Sequence, residues 1–146
     1  MHTKKWILVI VLFFIIVAGL LVLVFVPSHK IATTAIPASI DDIITTTSPL
    51  PHTTIVSPLV VTGTARGSWY FEASAPVELR SATGAVIAQG HVTAQGDWMT
   101  SEYVPFTATL TFTAQPAGTV GTLVLKNDNP SGDPAREKEL DIPVNF

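Results

Sequence analysis

The feature that most limits this chain is the spacing of its apolar residues after residue 54, which is two rather than 3.6. In "WYFEASAPVELR" the odd positions Trp69, Phe71, Ala73, Ala75, Val77 and Leu79 are apolar, while Tyr70, Glu72, Ser74, Glu78 and Arg80 fill the even ones. The pattern returns in Leu140, Ile142, Val144 and Phe146, set against Asp141, Pro143 and Asn145. Successive strand side chains point to opposite faces, so this alternation predicts extended segments with one buried and one solvated side. Tyr70 is expected to face outward. Pro76 cannot donate to a ladder, so the long run is expected to be two strands meeting at a bulge or corner.

Turn signals at "ARGS", "SATGA", "TAQGD", "QPAGTVG" and "NDNPSGD" cut this region at short intervals. The expected strands lie near 55–57, 59–65, 69–74, 76–82, 85–94, 104–114, 121–127 and 139–146, roughly seven once one merges with a neighbour. No helical stretch separates them, which excludes a parallel βαβ sheet. The predicted class is all-β: an immunoglobulin-like antiparallel β-sandwich over residues 54–146.

"VPFTATLTFT" shows the pattern at its cleanest. Phe106, Ala108, Leu110 and Phe112 are expected inside, and Thr107, Thr109, Thr111 and Thr113 on the wet side, where a branched Cβ suits the pleat. An ice-matching array would need threonine rows on neighbouring strands, and Glu72, Arg80, Gln89 and His91 speak against them.

The N-terminal part is a different material. Trp6 to Val26 is uncharged for about 21 residues, enough for a helix of roughly 31 Å, the hydrocarbon thickness of a bilayer. Lys4 and Lys5 precede it, which predicts a cytoplasmic stub at 1–5, a signal anchor at 6–26 in the lipid bilayer, and an extracytoplasmic remainder. The alternative is a cleaved signal peptide and a secreted domain, although the run is long and no small-residue cleavage pattern adjoins it. Residues 27–53, rich in Thr, Ser and Pro, read as a flexible linker. A helical turn at "ASIDDIITT" is the most structure expected there.

Chemistry is thin. The chain of 146 residues has a net charge of -3 and no basic stripe, so nucleic acid is not an expected partner. It has no cysteine, which excludes disulfides, thiol catalysis and thiolate metal sites. His2, His29 and His52 lie before the domain, and His91 has no second histidine beside it. No G-x-S-x-G elbow supports a serine nucleophile. Glu72 and Glu78, or Asp97 and Glu102, sit at solvent positions rather than as a catalytic pair.

In "NDNPSGD", Asn127, Asn129, Ser131 and Gly132 match relative positions 1, 3, 5 and 6 of a calcium loop, but the twelfth residue is Lys138 rather than Glu. A polar turn is the simpler reading, with Asp128 and Asp133 as the residual calcium candidates. No cofactor is expected, and the chain is not read as an enzyme. The candidate partner-binding residues are Tyr70 and Trp98, aromatic anchors if they face solvent.

Taken in order, "SPLVVTGTA", "WYFEASAPVELRSATGAVIAQGHVTAQGDW", "PFTATLTF" and "NPSGDPAREKELDIPVNF" resemble the immunoglobulin-like domain of bacterial spore-germination proteins, over about residues 54–146. The best-matching marks are Ser57-Pro58, Gly63, Phe71-Glu72, Gly84, Trp98, Phe106, Phe112, Ser131-Gly132 and Ile142-Pro143-Val144. The resemblance implies an extracytoplasmic, non-catalytic domain and supplies no ligand or catalytic residue to carry over. The expected function is a membrane-anchored binding module for an envelope protein or cell-wall glycan. The alternative is a structural spacer with no specific ligand.

Overall fold

The computed structural model describes residues 39–40 and 42–146. The expected stub, membrane anchor and first part of the linker lie outside the described residues.

Among the described residues eight strands follow in order: β1 (Ser39–Ile40), β2 (Ile44–Ser48), β3 (Leu59–Arg66), β4 (Ser74–Arg80), β5 (Val86–Ala94), β6 (Tyr103–Leu110), β7 (Val120–Lys126) and β8 (Glu139–Asn145). Every ladder between them is antiparallel, and the spatial order is β1-β2-β3-β6-β5-β4-β7-β8. The sheet is nearly two sheets. β5 pairs with β4 along its length, but with β6 only through Thr93↔Thr107 and Ala94↔Phe106. That short seam is a corner joining the β1-β2-β3-β6 half to the β5-β4-β7-β8 half. One apolar cluster holds Val61, Ala65, Phe106 and Leu110 from the first half with Val77, Leu79, Leu123 and Ile142 from the second. The halves therefore close on a shared core, as period-two patterning demands.

The alternation holds in β6. Phe106, Ala108 and Leu110 are buried, as is Phe112 beyond it, while Thr109, Thr111 and Thr113 are exposed and Thr107 is half-buried. Gly63 sits directly opposite Phe106, whose ring lies over it; a Cβ there would come within 2.5 Å of Phe106 Cζ and 2.3 Å of the Thr45 carbonyl oxygen. No residue with a side chain fits.

Four expectations are corrected. The linker does not run to residue 53: β2 lies inside the stretch expected to hold only a helical turn, and pairs with β3 through Ile44↔Ala65 and Thr45↔Thr64. Arg66 fixes its entry, donating through Nε to the Asp42 carbonyl at 3.3 Å, and the Tyr103 hydroxyl donates to the same oxygen. The chain then crosses to the other half, where Thr54 bridges Asn145 in parallel and the Ile55 amide donates to the Asn145 carbonyl at 2.9 Å.

The second correction concerns Trp69–Ser74, which is not a strand. Gly67–Trp69 is a 3-10 turn, and Phe71 and Ser74 exchange main-chain bonds around Glu72 (φ 50) and Ala73 (φ 60), a mirror-image tight turn. The dyad register breaks there, so Tyr70 is 4% exposed and Phe71 42% exposed, the reverse of the expectation.

Third, β4 runs straight through Pro76. The missing N–H costs nothing because β7 pairs only with Val77–Arg80. Fourth, the half that holds β6 does carry threonine on other strands: Thr45 and Thr47 on β2, Thr62 and Thr64 on β3, with Thr93 at the seam. Glu72, Arg80, Gln89 and His91 belong to the other half. Val60 and Pro105 interrupt the rows, facing Thr109 and Thr64.

Candidate functional site

Two segments that sequence patterning does not align meet at one end of the domain. The 3-10 turn carries Ser68 and Trp69 into the tight turn at Phe71–Ser74. The long connection from β7 to β8 folds against it, its Asp128 amide donating to the Trp69 carbonyl at 2.9 Å. Between them lies an open cleft of about 370 Å³. Phe71 forms an apolar wall, with Asn127, Asn129, Ser131 and Arg136 among the polar lining.

The β7–β8 connection holds its own shape. The Asn127 side chain bridges the loop, donating to the Arg136 carbonyl at 3.0 Å and accepting from the Lys138 amide at 2.7 Å. Asn129 donates to the Asp133 carbonyl at 2.8 Å, and the Ser131 hydroxyl donates to Asn129 Oδ1 at 2.6 Å. Asp133 accepts from the Ala135 amide and faces Arg136 Nε at 3.7 Å. The side-chain oxygens at relative positions 1 and 3 of the calcium pattern are thus engaged within the loop, as a polar turn requires. Among the described residues no group of three His, Asp or Glu side chains converges.

Behind the cleft the support is rigid. Trp69 is 1% exposed, and its indole N–H is buried without a hydrogen-bond partner among the described residues. Such a donor costs roughly 1–3 kcal/mol until an oxygen reaches it. Tyr70 donates its hydroxyl to the Val104 carbonyl at 2.9 Å, and burial lifts its phenol well above the ordinary range. Tyr70 is therefore a neutral brace between the turn and β6.

The two aromatic residues singled out from the sequence are not brought together. Tyr70 backs the cleft from inside the core. Trp98 lies in the β5–β6 connection, half-buried against the core, and does not line the cleft. Trp69, Tyr70 and Phe71 all line the cleft, and the exposed one of the three is Phe71, which the alternation assigned to the interior. His91 is exposed on β5, and Glu78 is ion-paired on the far sheet face. Neither borders the cleft. Its lining offers an apolar ring, amides, a hydroxyl and a guanidinium.

Strand order, the corner at β5 and an N-terminal segment shared between both halves define an immunoglobulin-like β domain. The chain belongs to the family described as the immunoglobulin-like domain of bacterial spore germination, whose model matches residues 43–133. The match begins one residue before β2, eleven residues earlier than the resemblance places it, and ends before β8, the strand that completes the sheet. Neither the curated proteins nor the solved structures gave a match.

Proposed function

We propose that this chain is a membrane-anchored, extracytoplasmic binding module whose cleft beside Phe71 holds a partner in the cell envelope, an envelope protein or a cell-wall glycan. The observation that carries the reading is the cleft. An aromatic ring 42% exposed stands beside Asn, Ser and Arg side chains, on a turn braced from behind by Trp69 and Tyr70. A rigid apolar wall with a few fixed polar groups is the usual make-up of a recognition site. The uncharged run at 6–26 after Lys4 and Lys5 supports the anchor, and an anchored domain meets its partners at raised effective concentration. The family's association with spore germination is compatible with an envelope setting.

The test is binding of the full chain, in detergent, to purified peptidoglycan and to immobilised envelope proteins, compared with Phe71→Ala and Asn129→Ala. Phe71→Ala should weaken binding by about tenfold, the worth of a well-placed aromatic anchor, while leaving the melting transition in place. Trp98→Ala serves as the comparison outside the cleft. Binding that survives both cleft substitutions, or no binding at all, overturns the cleft reading. The second outcome favours the spacer, for which the hydroxyl-covered and ion-paired sheet faces are the supporting observation.

A further inference from the structure

A strand edge with unmade main-chain bonds is a template for another strand, and natural sheets blunt such edges with charge, proline, shortness or cover. The edges here differ in that respect. β1 is two residues long. β8 carries Glu139, Asp141 and Pro143, and its end is covered by the Thr54 bridge. Beyond β6 the Phe112 amide is taken by the Ser57 hydroxyl at 3.0 Å. β5 has none of these devices over most of its length. It is nine residues, VIAQGHVTA, with no proline and no Asp, Glu, Lys or Arg. Its one irregularity lies at its start, where the register with β4 shifts between Leu79 and Arg80.

The register shows which groups are unmade. Pro76 faces His91 and has no N–H, so that pair is a non-bonded one, and the bonded pairs with β4 are Ala75↔Val92, Val77↔Gly90 and Leu79↔Ala88. The amides and carbonyls of Gln89 and His91 therefore point away from β4. Thr93, next in the series, turns the same way and meets β6 through Thr107. Among the described residues nothing meets Gln89 or His91 on that side, and both are exposed.

We propose that this edge of β5 pairs with the same edge of a second copy of the chain, antiparallel, about a two-fold axis at Gly90. Three observations favour a second copy over a foreign strand. Ser81 to Gly96 contains no Asp, Glu, Lys or Arg, so pairing this strip with its own copy brings no like charges into contact. Bonded residues at 89 and 91 are self-complementary: Gln89 of each copy falls opposite His91 of the other, which makes about four main-chain bonds. The position on the axis falls in a close, non-bonded pair, where chains approach to about 4.5 Å, and it is glycine. The result is one continuous sheet through both second halves, independent of the cleft.

The chain has no cysteine, so single substitutions report cleanly. Gln89→Cys and His91→Cys chains, full length in detergent, are mixed and treated with a short bifunctional thiol reagent. Directly opposed Cβ atoms lie about 5 Å apart and diagonal ones about 7–8 Å, so the mixture should give roughly tenfold more covalent dimer than either variant alone. Val120→Cys, exposed on β7, should give none. His91→Pro removes only an outward donor and should abolish dimer in sedimentation while keeping the strand signal in circular dichroism. If that variant does not fold, the cysteine pair still decides. No covalent dimer, equal yields from all three cysteine positions, or exchange-protected amides at 89 and 91 in a strictly monomeric chain would each overturn the proposal. The last would give the edge to a different occupant.

Discussion

The outer faces of the two halves solve one problem in different ways. On β2, β3 and β6 the solvent side is laid with Thr45, Thr47, Thr62, Thr64, Thr107 and Thr109, and two hydroxyls, Thr47 and Thr62, bond across strands at 2.9 Å. On β4, β7 and β8 it is laid with charge. Glu78 takes Arg80 at 2.7 Å and Lys126 at 3.0 Å, and Lys126 also reaches Glu139 at 3.4 Å. Between them Val124, opposite Glu78 on β4 and Asp141 on β8, is 0% exposed although it is on the outer face and outside the main core cluster. Long charged side chains cover apolar surface with their stems while their heads stay wet. The charged face thus hides one fully buried apolar side chain, whereas the threonine face is a surface only.

The largest expected effect tests that buried valine. Val124→Ala should lower stability by about 2 kcal/mol, the transfer of two methylenes plus an unfilled gap. Chemical denaturation at neutral pH would show it, and a change no larger than at an exposed site breaks the contrast.

Next is Glu78→Gln, with an expected loss of about 1 kcal/mol for a partly buried network. The hydrogen bond from Lys126 is the main cause holding the Glu78 carboxyl below its ordinary range, with Arg80 adding to it and partial burial opposing. Because the folded-state value is lowered, this stabilisation is fully present above the unfolded value of about 4.3 and is lost as pH falls through the folded one. Parent and variant melting temperatures should therefore differ at pH 7 and converge in acid. A gap that persists in acid would assign the effect to packing.

The smallest effect is expected on the other face. Thr109→Ala should change stability by less than about 0.5 kcal/mol, as exposed substitutions generally do. A larger loss would mean the threonine face is more than a wetted surface.

How much of this was legible depended on whether polarity followed geometry. In β6 every inward residue is greasy and every outward one polar or proline, so the alternation reads directly. β2 failed that test because Thr46 faces inward, 0% exposed, and a run of threonines looks like linker. The turn at Glu72–Ala73 failed for a different reason. Left-handed backbone is usually marked by Gly, Asn or Asp, and here two ordinary side chains adopt it. That hidden turn reversed the exposure of Tyr70 and Phe71, both of which line the cleft. "NDNPSGD" was readable as a polar turn, but its position against Phe71 is set by the pairing of β7 with β8, far along the chain.

The crossing of the N-terminal segment from β3 to β8 has a practical side. Residues 44–48 cap one half and residues 52–55 cap the other, so a single stretch of a dozen residues seals two sheet margins. A recombinant chain begun at residue 54, where the polarity pattern first becomes regular, bares β3 outright and keeps only the last residues of the strip along β8. That shortening sacrifices solubility and also removes Ile44, fully buried in the core, whereas a start ahead of Ser39 preserves both seals.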